Sequence, residues 1–168
     1  MKGIIIMGSS RSDGDTAQAV NVLSSLSGYE VLDLKSLKFS DYDYHSNNLK
    51  DDFLPTIHSI VSQYDQIVLA TPVYWYTMSA LMKRFLDRIS DCLRVEKDTG
   101  RKFRGKNLAM ISVSNDKRPP HYAEPFILSA AYLGMNYLGD QHIIFDKDNL
   151  CSLNPQLLRM VGLLKSQY

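Results

Sequence analysis

Two short stretches hold most of the side chains able to do chemistry. Residues 8–16 read Gly8, Ser9, Ser10, Arg11, Ser12, Asp13, Gly14, Asp15 and Thr16, between a β-branched apolar run and the start of a helical pattern. A helix amino terminus presents backbone N–H groups without intrahelical partners and a partial positive charge, and both suit a phosphate. The hydroxyls of Ser9, Ser10 and Thr16 add donors, Arg11 adds a charge-assisted pair, and the glycines let backbone approach closely. The same residues also suit an ordinary helix cap, where Ser and Asp are preferred. A Walker loop is excluded because no lysine stands here, a GxGxxG pattern is absent, and no cysteine precedes Arg11 as a phosphatase loop requires.

The second stretch, residues 71–78, is Thr71, Pro72, Val73, Tyr74, Trp75, Tyr76, Thr77 and Met78, with the chain's only tryptophan inside an aromatic triple. Trp and Tyr offer flat apolar faces with a polar handle, which fit a planar heteroaromatic ligand. A cover for the end of a sheet, or a dimer contact, uses the same residue types. Ser114 and Asn115 close a further apolar run and form a third candidate loop. Phosphate donors and an aromatic platform at adjacent strand ends point to one ligand having both parts.

The elements that would position these loops alternate. Apolar runs at 3–7, 29–34, 67–70, 108–113 and 137–145 read as strands, the third ended by Pro72. Helical spacing marks 17–26, 53–61, 78–89, 124–135 and 156–165, with Pro125 in a first turn where it is tolerated. Strand and helix succeeding one another five times predict a parallel sheet covered on both faces, joined by right-handed crossovers. In such a sheet the ligand sits outside the carboxyl ends of the strands, where strand order reverses. The loops after strands one, three and four reach that edge. With no repeat or linker, residues 1–168 read as one domain.

At this point a resemblance enters. Gly8, Ser9, Ser10, Arg11 through Asp15, Thr16 resembles the GSxRxxxNT loop of the NAD(P)H-dependent FMN reductases. Thr71 to Trp75, with Met78, Ser79 and Lys83 to Arg88, is similar to that family's second signature. The resemblance implies an α/β flavodoxin-like three-layer sandwich with a five-stranded parallel sheet of order 2-1-3-4-5. It also implies bound FMN, NADH or NADPH as hydride donor, and a homodimer. Carried over by position, Ser9, Ser10, Arg11 and Thr16 would bind the flavin phosphate; Pro72, Val73, Tyr74 and Trp75 would line the ring, with Tyr76 close by. Ser114 and Asn115 occupy the third loop's place, without the glycines common there. Asp15 stands where the family has asparagine; a carboxylate would repel phosphate, so Asp15 is expected to turn away or to offer only its backbone N–H.

Composition removes several other classes. A net charge of +1, from 19 basic and 18 acidic side chains, leaves no footprint for nucleic acid or a membrane surface. No run reaches the roughly 18 apolar residues that a membrane span needs, and the short apolar start lacks a signal peptide's cleavage site. Cys92 and Cys151, far apart, read as reduced thiols of a cytoplasmic protein. The four histidines have no metal-ligand spacing, so no metal is expected. Asp87 and Arg88 read as charge contacts on the polar face of their helix. The polar loop 35–50 has no cysteine cluster for iron and sulfur, and Tyr42, Tyr44 and His45 read as exposed.

The leading function is therefore an FMN-dependent oxidoreductase that moves a hydride from NAD(P)H to a small acceptor: a quinone, an azo or nitro aromatic, or a flavin. The cofactor carries that chemistry, so no catalytic acid, base or nucleophile is expected of the protein. A flavodoxin-type electron carrier is the alternative, but carriers are typically strongly acidic and this chain is not. A flavin-free regulatory domain of the same fold is the third reading.

Overall fold

The computed structural model describes residues 1–166. Five strands, β1 (Gly3–Met7), β2 (Glu30–Asp33), β3 (Gln66–Pro72), β4 (Asn107–Ser114) and β5 (Asn136–Ile144), pair in the order β2-β1-β3-β4-β5. Every pairing is parallel. This is a flavodoxin-like three-layer sandwich, with strand order reversing between β1 and β3. Both of these central strands are buried along their whole length, which explains their unbroken apolar runs.

Alternate strand residues feed two cores, one on each face. On one face Ile4, Ile6, Ile67, Leu69, Leu108 and Met110 pack against α2 (Phe53–Gln63), α3 (Ala80–Arg94) and α5 (Glu124–Leu133). On the other, Ile5, Val68, Ala70, Ala109 and Ile111 pack against α1 (Asp15–Ser27) and α6 (Leu153–Lys165). Among the described residues no helix is long and apolar enough to cross a membrane.

Three local departures from the sequence reading have physical causes. The third helix begins at Ala80 rather than Met78 because Ser79 caps it, its hydroxyl accepting from Met82 N at 3.0 Å. The connector after it folds one short turn, α4 (Lys97–Arg101), whose Thr99 and Gly100 are buried.

Arg88 does not lie on a solvated face: it is entirely buried. The loop before α2 closes over it, so that Arg88 donates to Asp51 at 2.5 and 3.2 Å, to Asp91 at 2.7 Å and to the carbonyl of Ser40 at 3.1 Å. Arg84 on the same helix pairs with Asp41 at 2.6 Å, and Arg94 reaches the Tyr42 hydroxyl at 2.7 Å. Spacing alone placed Arg88 with the solvent; the loop that covers it is distant in sequence. Asp87 behaves as expected, on the polar face, half-exposed and paired with Lys83 at 2.6 Å.

Candidate functional site

The loop after β1 and the loop after β3 are joined by a chain of buried hydrogen bonds. Gly8 N donates to the Ala70 carbonyl at 2.8 Å, and the Ser79 hydroxyl donates to the Gly8 carbonyl at 2.6 Å. Ser79 N in turn donates to the Thr71 hydroxyl at 3.0 Å. Gly8 is required for this approach: a Cβ there would stand 2.9 Å from the Cβ of Met82. Glycine thus lets α3 seat directly against the first loop.

That first loop ends in an open helix terminus. The N-cap of α1 is Gly14, which has no side chain to cap with, and among the described residues no side chain caps this terminus. The ordinary-cap reading of this serine-rich turn therefore does not describe it, since none of its hydroxyls performs the capping. Ser9 and Thr16 are buried, whereas Arg11 is exposed, with its Nε donating to Asp13 at 3.2 Å. That hydrogen bond, with the guanidinium's charge, holds the Asp13 carboxyl below its usual range.

A cleft of about 280 Å³ opens over this terminus. Ser9, Arg11, Asp15 and Thr16 form one wall, Pro72, Val73 and Tyr74 another, and Ser114 and Asn115 a third. A second depression of about 290 Å³ adjoins it, sharing Val73, Ser114 and Asn115 and adding Trp75 and Tyr76. Eleven of the twelve residues singled out from the sequence thus line one or other depression. Ser10 lines neither; it is exposed, and its carbonyl accepts from Lys35 Nζ at 2.8 Å. Asp15 is the half-buried first residue of α1, where a carboxylate is favoured by the helix dipole.

The aromatic triple is built as a two-residue turn. Tyr74 N donates to Thr77 O at 2.9 Å, and Thr77 N donates to Tyr74 O at 3.1 Å. Trp75 and Tyr76 at its tip have φ of 47° and 66°, the left-handed region. Turns of this kind are normally Asn-Gly, and bulky side chains there cost about 1–2 kcal/mol per residue. The tip also stands in water, with Trp75 92% and Tyr76 75% exposed. Beneath it the base is rigid: Val73 N donates to Val113 O at 3.0 Å, and the buried Tyr122 hydroxyl donates to Pro72 O at 3.1 Å. Burial pushes the Tyr122 phenol well above its ordinary pKa, so it stays a donor.

Sequence reasoning missed Lys147, which lines the first cleft from the loop after β5. The signal was available: every strand of a parallel sheet delivers its following loop to the same edge, the fifth included. It also missed Asp116, Lys117 and Pro119 in the second depression. Loop 35–50 packs down the side of α3 through its arginine contacts and lines neither depression.

The donor set fits a phosphorylated aromatic ligand. It combines orphan backbone N–H groups, hydroxyls and two cations at one end with exposed aromatic faces at the other. A doubly wound parallel sheet of this order takes its ligand at the reversal point, where flavodoxin carries FMN, so fold and cleft are those of the flavodoxin-like class. The model of the NADPH-dependent FMN reductase family matches residues 1–149, and the chain belongs to that family of oxidoreductases.

Similar proteins agree in architecture. The chain is 28% identical over 153 residues to a putative NAD(P)H-dependent FMN-containing oxidoreductase, YwqN, of Bacillus subtilis (strain 168), covering 83% of this chain and 82% of that one. The Trp repressor binding protein of Bacillus subtilis superposes with a TM-score of 0.74 at 24% identity, covering 98% of this chain and 99% of its own. The general stress protein 14 of Treponema denticola, solved with FMN, gives a TM-score of 0.70 at 14% identity over 100% of both chains.

Proposed function

We propose that the protein is an FMN-dependent oxidoreductase that passes a hydride equivalent from NADH or NADPH to a small acceptor such as a quinone, an azo or nitro aromatic, or a flavin. The observation that carries this reading is the pair of adjoining depressions, one walled by the uncapped terminus of α1, the other by the exposed aromatic turn, with Val73, Ser114 and Asn115 common to both. FMN, when bound, supplies the hydride chemistry.

The chain's own residues do the rest. Ser9, Thr16 and the first-turn N–H groups of α1 would hold the phosphate, with Arg11 and Lys147 supplying opposite charge. Pro72 to Tyr74 and Ser114 to Asn115 would flank the ring. Trp75 and Tyr76 stand free to stack on an incoming planar substrate and exclude water from it. No side chain at this edge needs to act as acid, base or nucleophile.

A homodimer belongs to the same reading. An apolar groove of about 380 Å³ between α3 and α5 is lined by Leu86, Ile89, Leu93, Leu128, Tyr132 and Leu133. Leu128 is 67% and Tyr132 79% exposed, the kind of patch that a second subunit covers. Light scattering of wild type and of Leu128→Asp tests this; a wild type of monomer mass would remove the dimer.

The activity test is steady-state oxidation of NADH and NADPH by FMN-loaded protein with a panel of quinone, azo, nitro and flavin acceptors. Turnover with at least one acceptor is expected. FMN-loaded protein that turns over none of them would be an electron carrier instead. Protein that takes up no FMN would belong to neither class.

A further inference from the structure

The third loop of the site has no glycine and no capping helix, yet it forms a wall of both depressions. Its shape is imposed from the next strand. On β5, His142 lies in register with Ser112 of β4. Its Nδ1 is 2.8 Å from the Ser112 hydroxyl, and its Nε2 is 2.8 Å from the Asp116 carbonyl and 3.2 Å from the Ser114 hydroxyl.

The chemistry of these partners selects one tautomer. A carbonyl oxygen only accepts, so Nε2 must carry the proton and donate to Asp116. Nδ1 then accepts from Ser112, whose side chain is fully buried and well placed to donate. The Ser114 hydroxyl donates to the same Asp116 carbonyl at 2.8 Å. Two donors therefore converge on one carbonyl and fold the turn back on itself. Two residues further on, Arg118 is ion-paired with Asp140 of β5, which also accepts from the Tyr137 hydroxyl at 3.2 Å. The loop is tied to β5 at both ends of its bend.

We propose that His142 is a positioning residue: through the Asp116 carbonyl it holds the 114–116 turn in the shape that presents Ser114 and Asn115 to the ring of a bound flavin. The inference rests on the FMN reading above and adds to it a residue outside the cleft that sets the ring's third wall. Burial also pushes the pKa of half-buried His142 below the usual imidazole value, the direction that favours the neutral tautomer described above.

The test uses the full chain and two probes, FMN and riboflavin, which share the ring but differ in the phosphate. His142→Leu should bind both about ten-fold more weakly than wild type, the loss expected for one hydrogen bond to a loop that contacts the ring. His142→Gln, which keeps a side-chain N–H donor of similar reach, should stay within about three-fold of wild type for both.

Unchanged binding by His142→Leu would overturn the proposal, as would a loss confined to FMN, which would place the effect at the phosphate end. Equal impairment of the Leu and Gln variants would reduce His142 to a packing role. Should His142→Leu not fold, Ser112→Ala takes its place: it removes the hydroxyl that donates to Nδ1 and steadies the ring, and should weaken both flavins about three-fold. No change in that variant would be equally fatal. A wild type that binds neither flavin would overturn the functional reading itself, a separate outcome from any of these.

Discussion

The hydroxyl of Ser79 donates to the carbonyl of Gly8 at 2.6 Å, and so binds the loop after β1 to the loop after β3 across the reversal point of the sheet. One buried serine thus caps α3 and ties together the two loops that wall the candidate site. Removing it should therefore disturb stability and ligand binding together. Ser79→Ala is expected to lose about 1–2 kcal/mol of unfolding free energy, the range for a lost N-cap. Urea denaturation of the apoprotein measures the first effect and FMN titration the second. A variant with lowered stability and unaltered FMN affinity would show that the link does not set the site.

The left-handed turn at Trp75 and Tyr76 predicts a gain of stability from a loss of function. Tyr76 has φ of 66°, so Tyr76→Gly should relieve about 1 kcal/mol of backbone strain in the apoprotein. The same change removes an aromatic face from the second depression and should raise KM for planar acceptors. Thermal unfolding and acceptor kinetics read the two effects; a destabilised Tyr76→Gly protein would mean that the aromatic side chain is packed, not strained.

Arg11 and Lys147 differ in how free their charges are. Arg11 shares its guanidinium with Asp13 at 3.2 Å, and both groups are exposed. Lys147→Ala should weaken FMN at least as much as Arg11→Ala, each by about 1.5–3 kcal/mol at low salt, the range for hydrogen bonds to charged groups. Riboflavin affinity should be unchanged in both. Added salt should shrink these losses because the charges are screened. Equal weakening toward riboflavin would remove both residues from the phosphate.

Arg88 is wholly buried and held by two carboxylates, those of Asp51 and Asp91. Arg88→Ala should cost about 3–5 kcal/mol, because it takes the buried Asp91 carboxylate's ion-pair partner away and leaves Asp51 its N–H donors but no counter-ion. Loop 39–52 should then become sensitive to protease, since Asp51 and the Ser40 carbonyl are its anchors on that guanidinium. A variant within 1 kcal/mol of wild type, by the measure of about 3–5 above, would mean that water replaces the arginine.

The same network sets an acid limit. Burial alone would raise the Asp51 pKa, but the Arg88 hydrogen bond and the Phe53 and Ser40 N–H groups outweigh it and hold the carboxyl below its usual value of 3.8. A carboxyl depressed in the folded state adds stability that is fully present above its unfolded pKa and disappears as pH falls through the folded value. Asp51→Asn should therefore flatten the stability profile below about pH 4. Urea midpoints at several acid pH values measure it; a profile parallel to wild type would detach Asp51 from acid unfolding.

Much of this molecule was legible in its residues because the signals are local. Unbroken β-branched runs announce strands buried on both faces, and amphipathic spacing announces their helices. Their alternation leaves few topologies open. Gly8 to Thr16 and Pro72 to Tyr76 could be found because a parallel sheet sends its loops to one edge, and their residue types carry the chemistry wherever the chain puts them. Burial of Arg88 and the tethering of the third loop by His142 were not legible, whereas Lys147 could have been reached by following the fifth strand to the same edge. The first two depend on partners far along the chain, Asp51 and the Asp116 carbonyl, and one-dimensional spacing holds no record of which loops meet. The left-handed backbone of Trp75 and Tyr76 is of the same kind. Nothing in an aromatic pair asks for that conformation; it accompanies closure of the turn by the two Tyr74–Thr77 hydrogen bonds, and only the folded structure could decide it.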